Sequence, residues 1–114
     1  MTTIDSKQVK NVKWGQGCDS WALLRCPTLS VVQKQVPPGC SEVAHYHARA
    51  HQFFFVLSGK LALEVDGITH EVGPQQGLSV PPGVTHLLRN RGEQSVLYLL
   101  ISSPNSQGDR VLVE

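Results

Sequence analysis

The stretch Gly39 to Gly59, GCSEVAHYHARAHQFFFVLSG, decides how the rest of the chain is read. It carries His45, His47 and His51, three of the five histidines. On a β-strand, residues i and i+2 share a face. The pair His45-x-His47 therefore aims two imidazoles at one point, as a metal site requires. The stretch then runs through the β-prone segment Gln52 to Leu57 and closes in a turn at Ser58-Gly59. A second cluster, Pro81-Pro82-Gly83-Val84-Thr85-His86, offers a third imidazole further on. Together the two stretches predict a metal-binding β-barrel.

The flanks agree with an all-β chain. Val9–Trp14 and Trp21–Arg25 read as short strands, interrupted by Gly15, Gly17 and Cys26-Pro27. Thr28–Val36 is rich in β-branched residues, and Pro37-Pro38-Gly39 is a turn. Ser41–His47 reads as an extended lead into the histidine pair. Lys60–Val65 alternates, with Leu61, Leu63 and Val65 on one face. Asp66-Gly67 suits a tight hairpin into Ile68–Val72. Leu78–Val80, His86–Asn90 and Ser95–Ile101 read as further strands, Ser102–Gly108 as a loop, and Arg110–Val113 as a last edge strand. Residues 1–8 are polar and expected to be loose. No stretch carries a helical period. Pro and Gly recur at roughly eight- to twelve-residue intervals, the spacing of a barrel or sandwich. One domain over residues 1–114 is the expectation.

Bulk properties exclude several function classes. A length of 114 residues supports one core. The net charge is +1 with signs mixed, so nothing favours nucleic acid or an anionic membrane. The longest apolar run, Val96–Ile101, is too short to span a bilayer. The opening MTTIDSKQVK lacks the apolar core of a signal peptide. Cys18, Cys26 and Cys40 are odd in number and show no C-x-x-C spacing, which points to reduced thiols and a cytoplasmic setting.

Gly39, His45, His47, Gln52 and Gly59 stand at the spacing G-x5-H-x-H-x4-Q-x6-G. This resembles the first motif of the cupin superfamily, which writes Glu where this chain has Gln52. Pro81, Gly83, His86 and Asn90 match the last four fixed positions of the second cupin motif, G-x5-P-x-G-x2-H-x3-N, laid over residues 75–90. The resemblance implies a double-stranded β-helix, a small jelly-roll barrel. It implies one divalent ion inside, zinc, nickel, manganese or iron, held by His45, His47, His86 and the residue in the Glu slot. It also implies a homodimer through an outer sheet, here carrying Phe53 and Phe55.

Two departures stand out. Gln75 occupies the opening glycine of the second motif. Gln52 occupies the Glu slot, and counting forward from His47 at the shorter spacing gives His51 instead. The count back from Gly59 runs through one strand and selects Gln52, with His51 as the alternative fourth ligand. An amide oxygen is a hard, neutral ligand, weaker than a carboxylate. Three imidazoles and an amide leave a divalent ion its full formal charge, which favours an anionic or enolate-forming small molecule. Some small cupins of uronate-sugar degradation share the H-x-H-x4-Q pattern, and that resemblance points to sugar-acid chemistry.

The expected activity is therefore Lewis-acid isomerisation or elimination on a small polar or anionic molecule. A metal-dependent dioxygenase and a non-catalytic binding or sensor module are the alternatives. The two classes differ by a positioned acid or base. The motif strands offer no evident Asp, Glu or Tyr on their inward face, which leaves Tyr98, Asp109 and Arg110 as the candidates. Arg110 could also grip a substrate carboxylate. His70 and Cys40 read as structural, and Arg49 and Arg89 as surface charges.

Overall fold

Alternation is what builds this molecule. In the computed structural model, which describes residues 2–113, eleven strands form two antiparallel sheets. The first sheet has the order β1 (Asn11–Trp14), β2 (Cys18–Cys26), β3 (Leu29–Val36), β10 (Val96–Ser103), β5 (His51–Ser58) and β8 (Gly77–Val80). The second has the order β11 (Arg110–Leu112), β4 (His45–His47), β9 (His86–Arg89), β6 (Leu61–Val65) and β7 (Ile68–Val72). This is the double-stranded β-helix expected of the two motifs.

Between the sheets lies a core that includes Val36, Phe54, Val56, Leu61, Leu63, Leu88, Val96 and Tyr98. Three rows cross the inner face of the first sheet, each set by register. Ser30 opposes Ser102, which opposes Gln52; Val32 opposes Leu100, which opposes Phe54; Lys34 opposes Tyr98, which opposes Val56. Every second residue of β5 is buried, so Gln52, Phe54 and Val56 face inward while His51 and Phe53 are exposed.

The motif landmarks have physical jobs. Gly59 has φ +81°, and a Cβ there would lie 2.7 Å from the Ser95 carbonyl oxygen, so both backbone angle and space demand glycine. Gln75, standing where the second motif writes glycine, takes that residue's left-handed backbone at φ +64° in a surface turn. Asn90 is buried and organises a turn. Its Nδ2 donates to the Val36 and Gln94 carbonyls, and its Oδ1 accepts from Gly92 N–H.

Within the polar start, residues 6–8 form a 3-10 turn capped by Asp5, whose carboxylate accepts from Lys7 N–H; Met1 lies outside the described residues. One expectation changes. The extended lead Ser41–His47 is strand only over His45–His47. Ser41 bridges Arg89 and His45 pairs with His86, so four residue steps on one side face three on the other. The extra residue is a bulge, and it breaks the alternation between Glu42 and His45.

Candidate metal centre

Pairing brings the three motif histidines together. His45 sits directly opposite His86 across β4 and β9, and His47 follows two residues on, on the same face. The ring centroids are 4.5 Å apart for His45–His86, 5.3 Å for His45–His47 and 5.9 Å for His47–His86. One ring nitrogen from each lies within 4.8 Å of the others, a spacing that can hold one metal ion. All three rings are buried.

Backbone carbonyls orient two of the rings. His45 Nδ1 lies 2.8 Å from the Val43 carbonyl and His86 Nδ1 lies 3.0 Å from that of Val84. An Nδ1–H donated to each carbonyl leaves Nε2 with its lone pair, the form a metal ligand needs. Burial lowers the His45 and His47 pKa values from 6.5 to about 4 and lowers that of His86 too. The cluster is therefore neutral near pH 7.

Gln52 lines the same cavity as His45 and His47, and His51 does not. The Gln52 amide is 2% exposed, and its Nε2 donates to Ser102 Oγ at 3.1 Å. Its Oε1 is buried without a partner, as is His86 Nε2. His51 points out of the opposite face, where its ring contacts Ser79 Oγ.

A cavity of about 170 Å³ opens beside this cluster, lined by His45, His47 and Gln52 and also by Trp14, Lys34, Glu42, Tyr98 and Arg110. The sequence predicts no evident acid on the motif strands and offers Tyr98 as a candidate from outside them; Tyr98 does line the cavity, and so does one acid that expectation lacks. Glu42 reaches the cavity through the bulge. Its carboxylate accepts from Leu88 N–H at 3.1 Å and lies 3.9 Å from His45 Nε2. Burial raises its pKa to about 7, against the pull of Lys34 and Arg110. Tyr98 is fully buried with its hydroxyl unpartnered, and burial keeps that phenol protonated. Its ring stacks on Phe54, which in turn meets His86 edge-on, so an apolar shield backs the histidines.

The remaining candidates separate. Arg110 lines the cavity, its guanidinium 3.5 Å from the His45 ring. Asp109 is engaged elsewhere: its carboxylate accepts from Arg49 N–H and Ala50 N–H, at 3.0 and 2.9 Å, and pairs with the Arg49 guanidinium. Burial would raise its pKa, but those donors outweigh it and hold it low. Lys34 was missed from the sequence, although the alternation Val32-x-Lys34-x-Val36 places a charge on an apolar face and could have flagged it. Glu42 had no such signal, because the bulge hides its facing.

Residues 33–102, more than half of the chain, match the family model described as "Cupin domain". The chain is 43% identical over 75 residues to an uncharacterized protein of Aquifex aeolicus, a match covering 65% of this chain and 61% of that one. It is 33% identical over 67 residues to "Polyketide synthase CurC" of Streptomyces cyaneus, covering 59% and 44%. The matches thus span less than two thirds of these curated relatives. Among solved structures, KdgF from Halomonas sp. superposes with a TM-score of 0.86 at 19% identity, covering 94% of this chain and 98% of that one. That likeness concerns the fold.

Proposed function

The chain belongs to the cupin family, and from that premise we propose that residues 1–114 form one metal-dependent domain acting on a small polar or anionic molecule. The observation that carries the reading is the donor set. Three neutral, buried imidazoles converge; two of their nitrogens, His47 Nδ1 and His86 Nε2, and the buried Gln52 amide oxygen lack any partner. An orphaned buried acceptor is costly unless something fills it, and a divalent cation fits donors of this type. His45, His47, His86 and Gln52 would hold it. A bound zinc, nickel, manganese or iron would supply Lewis-acid polarisation of a carbonyl or enolate oxygen.

The rest of the cavity supports proton transfer over passive binding. Tyr98 can donate from its protonated hydroxyl, and the Glu42 carboxyl can accept or return a proton. Phe54 and Leu100 exclude water from one side. Arg110 carries a permanent charge into the cavity and orients an oxyanion. The reaction class is isomerisation or elimination on a sugar-acid-like molecule, in keeping with a donor set that lacks a carboxylate. A dimer through the outer face of the first sheet, and a reducing, cytoplasmic setting for three free thiols, complete the proposal.

Metal content measured by mass spectrometry, on protein purified without chelators or an affinity tag, tests it. Wild type should carry about one ion per chain. His86→Ala and Gln52→Ala should lose it, and His51→Ala should keep it. Full retention in His86→Ala would sink the site. Iron as the native metal would turn the chemistry toward oxygen.

A further inference from the structure

Lys34 is the one ammonium in the cavity, and it is out of place by every rule of its strand. It stands on the inward face of β3 between buried Val32 and Val36. It is half-buried, and burial lowers its pKa. Among the described residues it makes no ion pair and no hydrogen bond through its side chain. Its neighbour is the Trp14 indole, with Nζ 4.6 Å from the ring centroid. Glu42, the nearby carboxylate, is turned to Leu88 N–H and His45. A desolvated ammonium with no acceptor is costly to keep. A core-facing strand position would carry an apolar residue at no such cost, so the charge is present for something that enters the cavity.

We propose that Lys34 is the residue that selects the ligand's charge, seating a carboxylate between its ammonium and Arg110 while an oxygen of the same molecule faces the histidines. The inference rests on reading this cavity as the substrate site. It narrows the ligand to a small monocarboxylate that also bears a hydroxyl or carbonyl. A carboxylate is favoured over a phosphate by the donor types. Two side-chain cations converge here, whereas no helix N-terminus of the kind that cradles phosphate is present among the described residues. Trp14 reports on the event. A carboxylate that draws the ammonium off the indole face changes the cation–π contact and hence the indole emission.

The test uses glycolate, its neutral amide glycolamide, and inorganic phosphate, titrated into zinc-loaded and metal-stripped protein with tryptophan emission and calorimetry as readouts. Wild type should bind glycolate in preference to glycolamide and phosphate. Lys34→Met, which keeps length and suits an apolar strand face, should weaken glycolate by about tenfold or more with metal content unchanged. Lys34→Arg should stay close to wild type, and Trp14→Phe should lose the emission change while still binding. Equal binding of glycolate and glycolamide, wild-type affinity in Lys34→Met, or a preference for phosphate would each overturn the proposal. A protein that takes up no metal, yet binds glycolate in a Lys34-dependent way, would defeat the metal reading and leave this one standing. If Lys34→Met does not fold, Lys34→Gln gives the same comparison.

Discussion

At the scale of single residues, burial of the histidines makes the protein acid-sensitive in a calculable direction. In the unfolded chain an imidazole takes its proton near 6.5, but folded His45 and His47 resist until about 4. Their stability contribution is complete above pH 6.5 and is lost as pH falls between those values. Taken alone, each amounts to roughly 3 kcal/mol. Glu42 acts the other way. Its folded pKa is raised from 4.5 to about 7, so protonation stabilises the fold as pH falls through that window, offsetting about one histidine. The metal-free protein should therefore melt at progressively lower temperature from pH 6.5 to 4.5, and Glu42→Gln should steepen the fall. Thermal melts at matched ionic strength give the answer, and a flat profile in both proteins would contradict the burial of the cluster. The histidines were readable because H-x-H spacing on a strand leaves one geometric outcome. Glu42 was not, because a single inserted residue reverses facing and no residue type in Ser41–Ala44 announces it.

At the scale of elements, the last strand is fastened to the strand of the histidine pair. β11 pairs with β4 through Arg110 opposite His47 and Leu112 opposite His45. Asp109 then fixes the link between β4 and β5 by holding the Arg49 and Ala50 amides. Asp109→Ala should cost roughly 2–4 kcal/mol, the loss of charge-assisted hydrogen bonds to a buried carboxylate. Metal content should persist, since that carboxylate lies outside the cavity. A drop in melting temperature with metal retained fits this account, and metal loss without destabilisation would return Asp109 to the site. The sequence ranks Asp109 with Arg110 because loop residues carry no periodicity from which to read direction. Strand residues do, which is why β5 to β7 were legible almost residue by residue. The same alternation in Val32-x-Lys34-x-Val36 places a charge where the pattern asks for a hydrophobe, a signal the sequence reading leaves unused.

At the scale of the whole molecule, the outer face of the first sheet exposes apolar side chains that the proposed dimer would cover. Phe53 is 38% exposed and stacks on Phe55 with ring centroids 6.2 Å apart, while Leu24, in the same outward row, is more exposed still. Sedimentation should find a dimer in wild type and a monomer in Phe53→Asp; a monomeric wild type would leave that face without the proposed role. The cavity is assembled from separate parts of the chain. His45, His47, Gln52 and His86 all lie within residues 33–102, the part that matches the family, whereas Trp14 and Arg110 come from the stretches on either side. The two side walls can therefore be changed apart from the metal-ligand cluster. Trp14 and Arg110 stand on β1 and β11, so replacing either side chain reshapes the space a ligand would enter while leaving every imidazole in place. What the cavity admits and what it does with a guest are set by separable parts of the chain.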